Sequence, residues 1–516
     1  MLNVFTACPG LFYTTSAQDG ILSRLRIPAG ILNTEQLNLI ANIADHYGSG
    51  YVDVTNRANL QIREIKQNIN IEVLKSLQEL GLGSINPQID HIRNIMASPT
   101  AGIDTQELID VRPLVQAWDE YITKNSHLGE LSAKFSVCFD GSGKLSVVNC
   151  PNDITFVATR VEGGCREEQK FFPTGEWGLN KVYFTLSICG SLSRKNFSTF
   201  GIYLKPEECI PVLAALAAVY LQHTDSSLRR KPRLREVISN IGLENYLQQV
   251  EYYLYEHNSK LFSNLQLKSV INKYQDVTQD YKTQKSNKLY HLGVHRQKQP
   301  GLVYIGVVLP LGRLQSWQIR GLANLANKYG RGIIRLTPWQ NLLITDISES
   351  DIAEVKREIS NLGLSYSAIN IKSGLVSCSG KRGCAAAATD TKSHALTLGE
   401  YLESHVALDS HINIHFSGCV KSCAQHHPGD ITLLGVNIEV ENETLERYEV
   451  YLGEDNLQQF GRQIYENVPF AELPPLLTKM LKVYQTNRVN SQESFREFTN
   501  RYDIPELKQL FTDPSI

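Results

Sequence analysis

Residues 26–65 decide the fold, because RIPAGILNTEQLNLIANIADHYGSGYVDVTNRANLQIREI recurs with changes at residues 308–347 as VLPLGRLQSWQIRGLANLANKYGRGIIRLTPWQNLLITDI. The two stretches align without a gap at an offset of 282 residues (308 minus 26), and 15 of the 38 positions from Pro28 to Ile65 are identical. Self-similarity at a fixed offset is the signature of a repeated structural unit. The sequence therefore predicts an internally duplicated α+β chain with pseudo-twofold symmetry.

Each copy predicts a strand, a Pro-x-Gly turn, an amphipathic helix, a Tyr-Gly turn and further strands. Residues 51–55 and 60–65 alternate apolar and polar side chains, as strands do. Four apolar residues of the first copy recur at helical spacing: Leu37, Ile40, Ala41 and Ala44. The two copies therefore predict two similar βαβ-like units, one in each half of the chain.

Four cysteines in the C-terminal half indicate the chemistry. Five residues separate Cys378 from Cys384, three separate Cys419 from Cys423, and 34 lie between the pairs. Four thiolates are the usual ligand set of an iron–sulfur cluster. A structural zinc site usually has cysteines two to four residues apart, which the first pair does not match. Zinc and unrelated buried thiols remain the alternatives to a cluster, and a cluster predicts electron transfer.

The duplication extends weakly beyond the first match. KFSVCFDGSG followed by DITFVA in the first half is similar to NIHFSGCVKS followed by DITLLG in the second. The first half has no cysteines at the positions of the cluster pairs, and its Arg57 aligns with Trp339. We therefore expect one working site, assembled from both halves.

Length and composition restrict the class of protein. A chain of 516 residues predicts several domains, and 42% hydrophobic with 20% charged residues is typical of globular proteins. The net charge of −2 gives no general attraction to nucleic acid. Because we find neither a signal peptide nor an apolar run long enough to cross a membrane, we expect a cytoplasmic protein without a membrane partner.

The cysteine quartet, the duplication and the flanking arginines together resemble the nitrite and sulfite reductase family over nearly the whole chain. The family's Thr-x-Arg-x-x-x-Gln segment is similar to residues 55–61 and its Arg-Asn segment to residues 93–94. Its Arg-Lys-x-Lys or Arg-Lys-x-Asn segment is similar to residues 133–136, where Ala133 replaces the arginine. The resemblance implies a [4Fe–4S] cluster on the four cysteines, coupled to siroheme. It also implies three catalytic, anion-binding residues: Arg57, Arg93 and Lys134.

The resemblance also implies the domain order. It predicts two ferredoxin-like half-domains and two α+β domains of the cluster and tetrapyrrole type. The expected boundaries are residues 1–75 and 296–365 for the half-domains, 85–270 for the tetrapyrrole or substrate domain, 271–295 for a linker, 366–485 for the cluster domain and 486–516 for a C-terminal tail.

Two differences from the usual sequence of the family favour one of its branches. Ser136 stands where sulfite reductases have a second lysine and nitrite reductases have an asparagine. Val420-Lys421-Ser422 replaces the usual Pro-Asn-x between the second cysteine pair, and Gly-Cys-x-Lys-x-Cys-Ala is similar to precorrin-3B synthases. That branch implies precorrin-3A as substrate, O2-dependent hydroxylation with γ-lactone formation, a role in cobalamin biosynthesis and a mononuclear non-haem iron.

Siroheme and precorrin-3A both carry many carboxylates, which guanidinium and ammonium groups bind. The histidines near the second cysteine pair could ligate an iron, although ordinary histidines are the simpler interpretation. The cations expected to bind the cofactors are Arg24, Arg26, Arg63, Lys381, Arg382 and Lys421.

The sequence thus leads to precorrin-3B synthase as the first hypothesis. The alternative is a ferredoxin-dependent siroheme nitrite or sulfite reductase, with sulfite disfavoured by the charge missing at Ser136. A third hypothesis is a tetrapyrrole or metal carrier that does not turn over. No dinucleotide-binding Gly-x-Gly-x-x-Gly follows a predicted strand, so we expect electrons from a separate protein such as ferredoxin.

Overall fold

The structure is a computed structural model. It describes residues 10–12, 15–67, 69–160, 181–188, 198–225, 227, 228, 230–262, 288–440, 443–454 and 460–512. Most of the predicted linker, up to residue 287, lies outside these ranges. Among the described residues, no helix combines the length and apolar composition that crossing a lipid bilayer requires.

Within the described residues, twenty strands form four five-stranded sheets, which confirms the α+β class. Sheet I contains β1 (Thr15–Ala17), β2 (Gly20–Leu25), β4 (Tyr51–Val54), β5 (Leu60–Ile65) and β13 (Arg313–Gln315). Sheet II contains β6 (Ile95–Ala97), β7 (Val137–Asp140), β8 (Ile154–Arg160), β9 (Val182–Ile188) and β10 (Ser198–Leu204). Sheet III contains β3 (Ile31–Asn33), β11 (Gly293–Arg296), β12 (Leu302–Val307), β14 (Ile333–Leu336) and β15 (Leu342–Ser348). Sheet IV contains β16 (Leu375–Ser377), β17 (Ile414–Ser417), β18 (Ile431–Val440), β19 (Glu443–Leu452) and β20 (Arg462–Val468).

The helices of the described residues pack around these sheets. They are α1 (Thr34–Tyr47), α2 (Ile71–Glu79), α3 (Arg112–Lys124), α4 (Cys209–Gln222), α5 (Leu234–Ile241), α6 (Leu243–Phe262), α7 (Ser316–Tyr329), α8 (Ile352–Asn361), α9 (Ile371–Gly374), α10 (Gly380–Gly383), α11 (Thr391–His405), α12 (Leu473–Asn487), α13 (Phe495–Asn500) and α14 (Ile504–Thr512). The strand predicted at residues 51–55 ends at Val54, and the strand predicted at 60–65 has those bounds. All four apolar residues expected on the first helix are buried on α1.

The two repeated units exchange a strand. Strand β13 of the second unit pairs antiparallel with β4 of the first, and β3 of the first pairs antiparallel with β14 of the second. A single hydrophobic core contains side chains from both units, including Ile40 and Ala44 of α1 and Leu322 and Ala326 of α7. Because sheets I and III each take an edge strand from the other unit, the two repeated units fold as one body.

Local structure repeats at the same offset of 282 residues. Gln36 and Gln318 each accept a hydrogen bond from the backbone N–H that begins their helix, at 2.8 and 3.0 Å. Their amide nitrogens donate to the carbonyls of Leu80 and Leu362, at 2.8 and 3.0 Å. The identical glutamine therefore caps a helix and ties down the following helix in both units.

Sheets II and IV have the same strand arrangement, so the weaker sequence similarity between the two halves has a structural counterpart. In each, two parallel strand pairs are followed by two antiparallel pairs. Asp153 accepts a hydrogen bond from the Ser136 N–H at 3.1 Å, and Asp430 accepts one from the Asn413 N–H at 2.8 Å. The same turn therefore precedes β8 and β18.

The C-terminal helices share the core of sheet IV. Phe495, Phe498, Leu507 and Phe511 are buried there with residues of β17, β18 and α12. The part of the predicted tail that the structure describes therefore packs onto the cluster domain, while the predicted domain boundaries stay predictions.

Candidate functional site: a four-cysteine centre between the two halves

The four cysteines follow elements of sheet IV. Cys378 comes directly after β16 and Cys384 directly after α10, while Cys419 and Cys423 follow β17. Because β16 and β17 are parallel neighbours, their carboxyl ends meet at one edge of the sheet. We call residues 378–384 the first cysteine loop and residues 419–423 the second. The Cys378 N–H donates to the Phe416 carbonyl at 3.3 Å, which keeps the two loops together.

The surroundings of the thiols suit an anionic cluster. The Gly418 N–H donates to Cys378 Sγ at 3.2 Å. Backbone N–H groups on sulfur favour the charged thiolate and tune bound clusters. A side chain at Gly418 would place its Cβ 2.6 Å from Ala387 Cβ, so only glycine allows this approach. Partial burial and the charges of the other three cysteines raise the pKa of the Cys423 thiol, which indicates that all four thiols share one neighbourhood.

The described residues offer no ligand set for a single metal ion. No three His, Cys, Asp or Glu side chains within them are placed to share one ion. A single ion gathers its ligands in one coordination sphere, whereas the four cysteines of a cubane cluster each bind a different iron. The mononuclear iron implied by the precorrin branch thus gains no ligands from this part of the chain.

Asn56 joins the first half of the chain to the four-cysteine centre. Its side-chain amide donates to the Cys423 carbonyl at 3.0 Å, across 367 positions of sequence. Asn56 lies in the turn between β4 and β5, directly before Arg57. The expectation that both halves contribute to one site gains support from this contact.

Arg57 is half-buried and fixed in place. Its Nη1 donates to Asn152 Oδ1 at 2.6 Å and its Nη2 to the Pro151 carbonyl at 2.5 Å. Burial lowers the pKa of Arg57, while the carboxylate of Asp153 opposes this change. The side chain is thus a rigid cation whose turn also touches the second cysteine loop.

The three predicted catalytic segments meet, but their side chains do not converge. The Asn59 amide of the Arg57 turn donates to Asn94 at 3.1 Å, and the Val137 N–H donates to the Asn94 carbonyl at 3.4 Å. Arg93 itself is buried and forms a bidentate ion pair with Asp119 at 2.8 and 3.0 Å. Those bonds occupy Nε and Nη2, while Nη1 of Arg93 has no hydrogen-bond partner among the described residues.

Lys134 and Ser136 differ in exposure. Lys134 is exposed on the segment before β7. Ser136 is fully buried, and its hydroxyl donates to Asp153 Oδ2 at 3.1 Å. The serine that stands at the family's asparagine position therefore stabilises the turn before β8.

The predicted cofactor-binding cations have diverse surroundings. The Gln61 amide, turned so that its oxygen faces Arg24, accepts from Arg24 Nε at 3.2 Å. Arg26 is buried, and its charge acts on Asp90 and His91. The positions on sheet IV are exposed beside the cysteine loops: Lys381, which pairs with Glu446 at 2.7 Å, Arg382 and Lys421.

Arg63 reaches the cysteine loops directly. It donates to the Gly383 carbonyl at 3.0 Å and pairs with Asp19 at 2.8 Å. A cleft of about 340 Å³ opens beside this contact, lined among others by Arg63, Arg382 and Lys392. The hydrogen bonds of Arg63 therefore tie it to Asp19 and to the loop between Cys378 and Cys384.

Comparisons with known proteins identify the family of the chain. The family model "Nitrite/Sulfite reductase ferredoxin-like half domain" matches residues 15–80 and 295–362, and "Nitrite and sulphite reductase 4Fe-4S domain" matches residues 88–258. A ferredoxin–nitrite reductase of Leptolyngbya laminosa is 30% identical over 486 residues, which cover 92% of this chain and 88% of the relative. The chain belongs to the nitrite and sulfite reductase family. The predicted family and its duplicated fold with ferredoxin-like half-domains are thereby confirmed.

Other members of the family match over similar lengths. The chloroplastic ferredoxin–nitrite reductase of Zea mays is 29% identical over 489 residues, covering 92% of this chain and 80% of the relative. The Mycobacterium tuberculosis NirA protein has the same fold, with a TM-score of 0.70 and 22% identity over 94% of this chain and 84% of that structure. The precorrin-3B synthase branch is not confirmed, and these relatives favour the alternative hypothesis.

Sequence reasoning missed several residues that build the site. Asn56 had a signal, because it stands inside the recognised Thr-x-Arg segment beside the predicted arginine. The pairings of Asn152 with Arg57 and of Asp19 with Arg63 had none, since these residues become neighbours only through the fold. Contacts across such sequence distances depend on how the sheets pack.

Proposed function

We propose that this chain is a ferredoxin-dependent nitrite reductase. Cys378, Cys384, Cys419 and Cys423 would hold a [4Fe–4S] cluster, and the chain would bind siroheme as its tetrapyrrole. The observation that carries the proposal is the Asn56–Cys423 hydrogen bond, because it sets the Arg57 turn against the cysteine centre. The names of the relatives support nitrite as the substrate and ferredoxin as the electron donor.

The chain's own residues prepare a site for a small anion. Arg57 supplies a fixed positive charge, and its bonds to Asn152 and Pro151 remove the cost of ordering it when the anion arrives. Siroheme, when bound, supplies the iron at which nitrite is reduced, and the cluster supplies electrons. The expected role of Arg57 is to attract and orient nitrite by its fixed positive charge.

Nitrite fits this charge pattern better than sulfite. The position where sulfite reductases have a second lysine holds Ser136, whose hydroxyl is bonded to Asp153. A dianion would therefore lack one positive charge that a monoanion does not need. Exposed Arg382 and Lys421 beside the cysteine loops suit an acidic donor protein such as ferredoxin.

The test combines a spectrum with an assay on the purified chain. We expect the absorption of an iron tetrapyrrole that is extracted as siroheme on denaturation, and ammonia formation from nitrite with reduced ferredoxin. Cys423→Ser should remove the cluster and the activity, whereas Cys209→Ala, which changes a buried cysteine of α4, should keep both. Faster turnover of sulfite, or O2-dependent conversion of precorrin-3A by a chain without siroheme, would overturn the proposal.

A further inference from the structure

Arg63 links the first half-domain to the loop between the first two cysteines. It lies on β5 and is only 4% exposed. Its Nη2 donates to the Gly383 carbonyl at 3.0 Å, and its Nη1 lies 3.4 Å from Ser379 Oγ. Both partners lie between Cys378 and Cys384, more than 300 positions away in sequence. The guanidinium of the first half therefore binds this loop of the second half.

Two further features show that the contact is built into the fold. Asp19 binds the same guanidinium with both carboxylate oxygens, at 2.8 and 2.9 Å, and so fixes its plane. A Cβ at Gly383 would lie 2.4 Å from Arg63 Nη2, so the loop has no side chain where the guanidinium approaches. Any larger residue at 383 would push the guanidinium away.

We propose that Arg63 is a positioning residue that holds the first cysteine loop and sets the reduction potential of the cluster. This inference rests on the proposed function, because it needs the cluster to be present. A buried positive charge beside an anionic cluster stabilises the reduced state, which carries one more electron. Asp19 offsets part of that charge, so the pair as a whole adjusts the potential.

The opposite charges of the pair give a specific test. We expect Arg63→Gln to shift the cluster's reduction potential to more negative values, since a positive charge is lost. Asp19→Asn should shift it to more positive values, since the counter-charge is lost while Arg63 remains. Gly383→Ala should act like Arg63→Gln by displacing the guanidinium, and Arg63→Lys should restore part of the shift by retaining the charge.

The measurement is a redox titration of the holoenzyme, followed by the EPR signal of the reduced cluster. Arg313→Gln is the matched control: Arg313 lines the same cleft and also pairs bidentately with a carboxylate, but its contacts are with Asp53 and the Tyr51 ring. It should shift the potential less than Arg63→Gln. If Arg63→Gln fails to assemble a cluster, Asp19→Asn and Arg63→Lys still show whether the reduction potential follows the charge of the pair.

Opposite shifts in Arg63→Gln and Asp19→Asn support the inference, because a purely structural role would move the potential without regard to charge. Shifts of the same sign, or potentials equal to that of the unchanged protein, overturn it. Absence of any cluster signal in the unchanged protein would overturn the proposed function as well. The two failures are therefore distinguishable in one experiment.

Discussion

At the scale of single residues, the two arginines that match anion-binding positions of the family have different surroundings. Arg57 donates to one amide oxygen and one carbonyl, which keeps its positive charge available to an anion. Arg93 is paired with the carboxylate of Asp119, which neutralises much of its charge. Arg57 is therefore the stronger candidate for binding nitrite.

Replacing Arg57 should affect catalysis with little effect on the cluster. We expect Arg57→Ala to lower kcat/KM for nitrite by about 100-fold, because a fixed charge at the reacting anion is lost. The cluster EPR signal should remain. Arg320→Ala, which removes a half-buried arginine paired with Asp45, is the control. An unchanged kcat/KM in Arg57→Ala would show that the anion binds elsewhere.

A buried histidine predicts a pH dependence of stability. Burial and the charge of Arg26 lower the pKa of His91 to about 4, whereas the unfolded chain has the ordinary value near 6.5. As the pH falls below about 6.5, His91 of the unfolded chain binds a proton, whereas His91 of the folded chain stays neutral until about pH 4. His91 therefore costs stability in acid, roughly 2 kcal/mol by pH 5.

The pH effect is measurable as a difference in Tm between pH 7.5 and pH 5. His91→Gln retains a group that can reach the Leu131 carbonyl but does not titrate, so its Tm should fall less than that of the unchanged protein. His46→Gln, at an exposed position on α1, should follow the unchanged protein. Equal losses in all three proteins would contradict the assignment to His91.

At the scale of elements, the exchanged strands depend on a tight turn in each unit. Gly30 and Gly312 both have positive φ, 68° and 70°, and each precedes an exchanged strand. A Cβ at Gly30 would lie 2.9 Å from the Leu336 carbonyl, and one at Gly312 would lie 3.0 Å from the Val54 carbonyl. Each glycine thus lets a turn of one unit approach the backbone of the other.

Gly312→Ala should destabilise the protein more than the same change at Gly363. Both glycines have similar positive φ, 70° and 68°, so each alanine bears the left-handed backbone penalty of about 1 kcal/mol. Nothing lies within 4 Å of a Cβ at Gly363, whereas at Gly312 the clash adds to the cost. We expect a total loss of about 3 kcal/mol for Gly312→Ala. Thermal unfolding compares the two variants, and equal Tm values would contradict close packing at this turn.

At the scale of the whole molecule, the two halves form one body. The core shared by sheets I and III takes side chains from both units, and Asn56 and Arg63 of the first half bind the cysteine loops of the second. Neither half contains a complete sheet I or sheet III by itself. We therefore expect the candidate site to need both halves together.

Cutting the chain between the halves should leave them associated. With a protease site inserted near residue 275, the two fragments should coelute in gel filtration after cleavage and retain the cluster absorption. The physical reason is the exchange of β3 and β13, whose loss would leave unpaired sheet edges and expose apolar core. The uncut protein with the same insertion is the control. Separation of the fragments under native conditions would show that the shared core is too weak to join them.

The sequence by itself determined the duplication, the α+β class and the family. Fifteen identities at one offset and four cysteines at fixed spacing are local patterns, and they are visible without any coordinates. Helix α1 was predictable because its buried residues recur at helical spacing. The precorrin branch rested on a few substitutions and is not confirmed; one of them, Ser136, also has a packing role, because it is buried and bonded to Asp153.

Only the tertiary structure decided how the halves combine. The strand exchange, the Asn56–Cys423 bond and the Arg63–Gly383 bond join residues that lie hundreds of positions apart. The pairing of Arg93 with Asp119 likewise depends on where α3 packs. Sequence patterns specify periodicity and residue type, whereas the partner of each charge is set by the packing of whole sheets and helices, which brings distant segments within hydrogen-bond distance.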